Sequence, residues 1–264
     1  MFPLKDNIPT ERFPLVTVAL IFINVFVYLF VQKKTGIDFS GNSLNQAQLT
    51  NYAAIPYELT HWGKECAYSS TAGVICQGQA GVTGTAPSQL PTWLTPFTAM
   101  FSHAGLLHLG GNMLFLWIFG NNVEDSMGRV KFIIFYLLGG LAALALQVAV
   151  GPNSTAPTLG ASGAIAAVLG GYIILYPRAR VLTAIFIILF FTLIEVPAMV
   201  VLAIWFVEQV LFGAWGLTDP TGSGGGVAYF AHIGGFAFGL LAIRAFATHR
   251  SEAYTSGDPR LYAS

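Results

Sequence analysis

The amino-acid sequence predicts an all-α membrane protein built from six spanning helices, and three observations carry that prediction. The 264 residues are 55% hydrophobic and only 9% charged, with a mean hydropathy of +0.65, more apolar surface than a water-soluble domain can hide. The apolar residues gather into segments of about 17–20, the length at which a helix crosses about 30 Å of hydrocarbon. Two of these segments open on a lone polar side chain: Ser162 in Leu159-Gly160-Ala161-Ser162-Gly163-Ala164, and His232 in Ala231-His232-Ile233-Gly234-Gly235. A Ser among small residues also suits a helix-packing face. Ionisable groups in lipid are costly and mark function by default, so the arrival of His232 in a matching position favours a nucleophile and its base.

Residues 1–12 form a short polar lead with Lys5 and Arg12. Residues 13–31 are apolar throughout, exceed a signal-peptide core and lack a small-residue cleavage site after them, so they are expected to be a retained first helix. A long connection, 32–95, holds Cys66, Cys76 and the aromatics Tyr52, Tyr57, Trp62, Tyr68 and Trp93. A connection of this length is functional or disordered, and its aromatics favour a structured element lying partly in the membrane interface. The two cysteines form either a disulfide, feasible only in an oxidising compartment, or two free thiols.

The second span is placed at 104–120, with His108 and Asn112 near its start and His103 just ahead. After a polar turn containing Glu124, Asp125, Arg129 and Lys131, the third occupies 132–150. The fourth, 160–176, is stopped by Pro177 and Arg178-Ala179-Arg180. Residues 181–212 are apolar for too long, since one helix would reach roughly 48 Å. Pro197 suits a first helical position and Glu195 a helix N-terminus. The fifth span is therefore set at 197–212, with 181–194 skirting the membrane. A Gly-rich flexible loop at 213–226, a sixth span at 227–246 and a tail at 247–264 complete a single domain.

The 12 basic and 12 acidic residues cancel, so neither nucleic acid nor a polybasic lipid anchor is indicated. With six spans, nine of the 12 basic residues fall on the side of both termini, and Lys33, Lys34 and Lys64 on the other. The positive-inside rule then puts both termini in the cytoplasm, and the expected location is a bacterial inner (plasma) membrane. Ser162 and His232 come to similar depth near the outer face. Small residues recur below each, Ala166 and Gly170 under Ser162, Gly235 and Gly239 under His232, allowing close helix contact. Gly235 is the expected contact position and Gly234, about 100° round the helix, the freer one. His108 and Asn112, four apart, share a helix face and suit hydrogen-bond donation to a developing oxyanion, joined by the helix N-terminus at Ser162. His103, five from His108, points elsewhere and reads as a helix stitch. Two His at i and i+4 around a Glu are missing, so no metal is expected, and no cofactor.

These stretches, His103-Ala-Gly-Leu-Leu-His108-Leu-Gly-Gly-Asn112, Gly120-Asn-Asn-Val-Glu124-Asp-Ser-Met-Gly128, Gly160-Ala-Ser162-Gly163-Ala and Ala231-His232-Ile-Gly-Gly235-Phe-Ala-Phe-Gly239, arrive in an order that resembles the rhomboid family of intramembrane serine proteases. The resemblance implies Ser162 as nucleophile, His232 as general base, and His108 with Asn112 at the oxyanion. It implies a rhomboid-like six-helix core with a first loop partly in the outer leaflet. The implied partners are membrane lipid and single-span transmembrane proteins, which enter beside the fifth helix under a mobile loop at 213–226 and are cleaved near the outer face. The chain departs from the family pattern at Trp93-Leu94-Thr95, where many members carry Trp-Arg, and at Ala166, where certain members carry a ring supporting the histidine. Glu195 and Glu208 are the nearest acids by membrane location, and neither stands in a motif, so a Ser/His dyad is the expected machinery. Two alternatives share some of these features. A catalytically silent relative that binds membrane clients usually lacks the Ser or the His. A small transporter with a His relay should hold its site near the midplane, usually with carboxylates.

Overall fold

The computed structural model describes residues 2–32, 34–36, 39, 43–84, 86, 89–187, 190–218 and 227–255. In chain order these form a strand β1 (Phe2–Asp6) and a helix α1 (Leu15–Phe26), continued by the π-helical turn Val27–Val31. The first loop holds helices α2 (Gln46–Tyr52) and α3 (Pro56–Thr60), a hairpin of β2 (Cys66–Ser69) and β3 (Gly73–Cys76), and helix α4 (Thr95–Ala99). Helix α5 (Leu106–Phe115) runs through a π-helical turn, Leu116–Gly120, into α6 (Asn121–Met127). Then come α7 (Arg129–Val150), α8 (Ser162–Leu175), β4 (Arg180–Ile187), β5 (Phe190–Pro197), α9 (Ala198–Thr218), α10 (Tyr229–Phe246) and α11 (Glu252–Thr255).

The protein is mostly helical but not all-α. Residues 181–194, expected to skirt the membrane, pair as the hairpin β4–β5, and β1 joins them in an antiparallel sheet ordered β1-β4-β5. Both strands of the hairpin are apolar on both faces, so the period-2 alternation that announces a half-buried strand is missing from the sequence. The lead at 1–12 is accordingly no free tail, since Phe2 sits opposite Ala184 and Asp6 opposite Val181. Glu195 does not cap a helix; it pairs with Arg180 across the hairpin at 3.3 Å. Pro197 ends β5, and α9 begins one residue later with the Ala198 N–H donating to the Ala179 carbonyl.

Among the described residues three helices are long and apolar enough to cross a membrane, Arg129–Val150, Ala198–Leu217 and Tyr229–Phe246, while Leu15–Val31 and Ser162–Leu175 are apolar but shorter. The other boundaries move for identifiable reasons. The helix expected to stop at Gly120 continues to Met127, and the break falls at Gly128, whose φ of +80° suits glycine. Helix α9 continues to Thr218, so residues 213–218 of the expected loop are helical and 219–226 lie outside the described residues. Helix α8 is the centre of the bundle: ten of its 14 residues are buried. Phe22, Phe30, Leu211, Trp215 and Leu241 are more than half exposed on their helices, as side chains facing lipid are.

Two buried acids hold the N-terminal segment. Pro14 gives α1 no side-chain cap, and Glu124, 3% exposed, takes its place. Its carboxylate accepts from the Val16 N–H at 3.0 Å, the Thr17 N–H at 2.7 Å and the Thr17 hydroxyl at 2.8 Å. Helix N-termini present unpaired N–H groups and a positive dipole end, so the acid expected in a turn becomes a capping group. At the other end of α1 the Lys34 ammonium donates to the Tyr28 carbonyl at 2.6 Å and the Leu29 carbonyl at 3.0 Å.

Asp6 accepts from the Tyr172 hydroxyl at 2.6 Å and the Asn122 amide at 2.7 Å, tying β1 to α8 and α6. Burial raises its carboxyl to about 7, against the pull of those hydrogen bonds. The folded state therefore holds this proton more tightly than the unfolded chain, whose carboxyl titrates near 3.9. Asp6 contributes its full stability below about pH 4 and loses it as pH rises through about 7. Asp6→Asn keeps an acceptor and removes the titration, so between about pH 5 and 8 the wild-type Tm in detergent should fall relative to this variant. Parallel Tm–pH curves would rule the assignment out.

The first loop is anchored without an Arg after Trp93. Ala54 and Thr158 exchange N–H···O bonds of 2.9 Å each, and the Tyr57 N–H reaches the Ser154 carbonyl at 3.0 Å. The Thr98 hydroxyl donates to the Tyr52 carbonyl at 2.8 Å, and the Gly160 N–H to the Ala99 carbonyl at 2.8 Å. The loop is thus bound to the segment that leads into Ser162. Cys66 and Cys76 lie opposite each other in the β2–β3 hairpin and form a disulfide, so they are not two free thiols.

Candidate active site

Ser162 is the first residue of α8 and His232 lies in the first turn of α10. The Ser162 Oγ and His232 Nε2 atoms are 2.8 Å apart. Helix axes ordinarily pack 8–10 Å apart, too far for two short side chains to meet this closely without small residues between them. A Cβ on Gly235 would fall 2.1 Å from the Gly163 carbonyl oxygen, one on Gly239 2.0 Å from that of Ala167, and one on Gly170 2.1 Å from that of Phe236. The backbones of α8 and α10 touch along this line, as the small-residue stripes imply. The expectation for Gly234 is corrected: its face is occupied by α7, where a Cβ would meet Leu146 Cβ at 2.8 Å and the Ala142 carbonyl at 3.0 Å.

His108 and Asn112 project from α5 toward the residue pair before α8. Gly160, at φ +111°, leaves room for both: a Cβ there would lie 2.7 Å from His108 Cε1 and 3.6 Å from Asn112 Nδ2. The His108 Nδ1 accepts from the Ala104 N–H at 3.4 Å, a long bond that leaves the proton on Nε2, the nitrogen beside Gly160. Asn112 is 8% exposed, and among the described residues its Nδ2 has no hydrogen-bond partner. A buried amide donor without an acceptor is costly unless a ligand or transition state supplies one. Ser162, His232, His108 and Asn112 all line one cavity of about 600 Å³, together with the apolar Phe115, Ile165, Leu169 and Trp205. The four residues expected at the site are therefore brought together.

His103 is not part of that lining. It precedes α5, so helical spacing does not govern its direction, and its ring lies edge-on to His108 with centroids 5.2 Å apart rather than pointing elsewhere. Its backbone is held on both sides by the Gln32 amide, at 3.0 and 2.9 Å.

Two residues that the sequence reading passed over meet His232 from α9. The Gln209 Oε1 is 2.7 Å from His232 Nδ1, and the Trp205 ring lies 5.7 Å from the imidazole, centroid to centroid. Both belong to α9, whereas Ala166, the position at which the family resemblance implies a supporting ring, belongs to α8. A signal was available, since Trp205 and Gln209 are four apart and share one face of an apolar helix. Glu208, one of the two acids nearest by membrane location, is exposed. Gln147 was also passed over; its Oε1 accepts from the Ala231 N–H at 3.1 Å, where α10 begins.

Glu11, Asp125 and His249 bring possible metal-ligand atoms within 4.8 Å of one another, near the end of α8 opposite Ser162. Both carboxylates already accept from backbone, Asp125 from the Glu11 N–H and Glu11 from the Glu252 N–H, each at 2.7 Å, so the group reads as a tie between the two terminal segments.

Residues 91–249 match the Rhomboid domain. The chain is 35% identical over 150 residues to Rhomboid protein 1, mitochondrial, of Saccharomyces cerevisiae, covering 53% of this chain and 38% of that protein. It is 30% identical over 145 residues to the presenilin-associated rhomboid-like protein, mitochondrial, of Mus musculus, covering 54% and 35%. Over 75 residues it is 40% identical to Rhomboid-like protein 11, chloroplastic, of Arabidopsis thaliana, covering 28% and 26%. The matches thus span little more than a third of these relatives at most. With more than half of its length matched and its polar residues gathered at one cavity, the chain belongs to the rhomboid family, whose members are generally intramembrane serine proteases.

Proposed function

We propose that this protein is an active intramembrane serine endopeptidase in which Ser162 attacks the substrate carbonyl and His232 takes its proton. The observation that carries the reading is the 2.8 Å contact between Ser162 Oγ and His232 Nε2 at the wall of a cavity that also holds the Asn112 Nδ2, without a partner among the described residues. Attack places negative charge on the carbonyl oxygen, and the Asn112 Nδ2–H, the His108 Nε2–H and the N-terminus of α8 supply donors for it. His232 then gives its proton to the leaving amine, and water hydrolyses the acyl-enzyme.

The substrates are single-span transmembrane proteins, cut near the outer face by one membrane domain of six helices with both termini in the cytoplasm. Helix α8, 14 residues long, measures about 21 Å, which recesses Ser162 below the membrane surface. The Cys66–Cys76 disulfide supports an oxidising compartment on the first-loop side. The protein is integral to a membrane; relatives named mitochondrial and chloroplastic lend no support to a bacterial inner membrane. A silent client binder draws no support from the geometry, because both members of the pair are present and in contact.

A fluorophosphonate probe should label detergent-purified protein at Ser162 and leave Ser162→Ala unlabelled, read by mass spectrometry of the modified peptide. A wild-type protein that takes no label, or label that persists in Ser162→Ala, overturns the reading.

A further inference from the structure

His232 must keep the lone pair of Nε2 free for the Ser162 proton, and neither α8 nor α10 contributes a described hydrogen bond that fixes this. Neutral imidazole carries one N–H, and the partner of one ring nitrogen decides what the other can do. Here the partner of Nδ1 is Gln209 Oε1 at 2.7 Å. An amide can be turned over without changing its outline, so the choice of oxygen rests on its other contact. The Gln209 Nε2 is 3.1 Å from the Trp205 carbonyl, which only accepts. The nitrogen is committed there, and the oxygen must face the ring. Nδ1 is therefore the donor and Nε2 the acceptor toward Ser162.

From this we propose that Gln209 is a positioning residue for the dyad, holding His232 in the tautomer that accepts the Ser162 proton. This rests on the protease reading above. The amide is 7% exposed, and its neutral carbonyl dipole can stabilise the imidazolium that forms during attack without burying a permanent charge, which is costly. Gln209 belongs to α9 whereas the dyad belongs to α8 and α10, so the tautomer of the base depends on where α9 sits.

The test pairs kinetics with a direct view of the ring. Gln209→Leu, with the acceptor removed, should lower kcat on a single-span substrate about 100-fold with KM within about twofold, a loss smaller than the roughly 10⁴ seen when a triad histidine takes the wrong tautomer. Gln209→Glu keeps an acceptor and adds charge, so it should recover much of kcat and move the acidic limb of the pH–rate profile upward by about one pH unit. Nitrogen NMR of histidine-labelled protein in micelles, with His232→Ala to assign the signal, should show the Nδ1–H tautomer in wild type and its loss in Gln209→Leu. That spectrum is readable even if the chain cleaves nothing. Wild-type kcat in Gln209→Leu, an unmoved limb in Gln209→Glu, or an Nε2–H tautomer in wild type each overturns the assignment. Ser162→Ala run beside them separates the two failures: if it still cleaves, the protease reading falls, and if it is dead while Gln209→Leu is fully active, only Gln209 is misassigned.

Discussion

Replacing Ser162 or His232 with Ala should abolish cleavage of a single-span transmembrane substrate reconstituted with the protein, each lowering the rate by at least about three orders of magnitude. The size follows from the chemistry of a hydroxyl, which is a poor nucleophile until a base within hydrogen-bond reach removes its proton. At 2.8 Å, His232 is that base. Without the ring the hydroxyl stays protonated, and without the hydroxyl the ring has nothing to deprotonate. The double variant should accordingly be no slower than either single one, because residues that act as a unit are lost as a unit. Both variants should retain the fold, since Ser162 and His232 are only partly buried and neither fills the core. Retained cleavage in Ser162→Ala would sink the dyad, and additive losses in the double variant would show that the two act separately. Asn112→Ala offers a graded companion, since one missing oxyanion donor typically costs about 10²–10³ in kcat.

How far the sequence carried depended on which physical signal each element leaves behind. Helices α7 and α10 are long and apolar, and hydropathy alone finds them, whereas α9 needed Pro197 to divide it from the apolar stretch before it. Ser162 and His232 stand out because a polar group in an apolar run is costly. The β4–β5 hairpin left no such mark: with apolar residues on both faces, strand and buried helix look alike until pairing partners are known. Glu124 was misread for the opposite reason. Its charge suggested a turn, but the three donors that bury it belong to Val16 and Thr17, more than a hundred residues away. Gln209 was overlooked because an uncharged amide barely disturbs a hydropathy profile, although its partner is the catalytic candidate itself. For Glu124 and Gln209 the missing information was a contact with a distant segment, which no local window contains.

Such a contact also sets the most demanding test of the geometry, at Gly235. The expected outcome for Gly235→Leu is a fall of at least about 100-fold in cleavage, with fluorophosphonate labelling lost in parallel. A misplacement of about 1 Å can cost this much, and here the displacement is forced. The obstacle is the Gly163 carbonyl oxygen, 2.1 Å from where a Cβ would stand. It belongs to the backbone of α8 one residue after the nucleophile, so no rotamer change relieves it. Helix α10 must move away from α8, and the contact between Ser162 and His232 is the first to open because it spans that same gap. Since the clash begins at Cβ, Gly235→Ala should already lose activity, which distinguishes backbone contact from mere crowding of a large side chain. Gly216, on α9, has nothing among the described residues within 4 Å of its Cβ position, and Gly216→Leu should cleave at nearly the wild-type rate. Overpacking costs typically about 1–3 kcal/mol, so Gly235→Leu should remain monodisperse in detergent with a lowered Tm. Cleavage at the wild-type rate by Gly235→Leu would mean that α8 and α10 do not meet through this face, and the 2.8 Å contact on which the mechanism rests could not form as described.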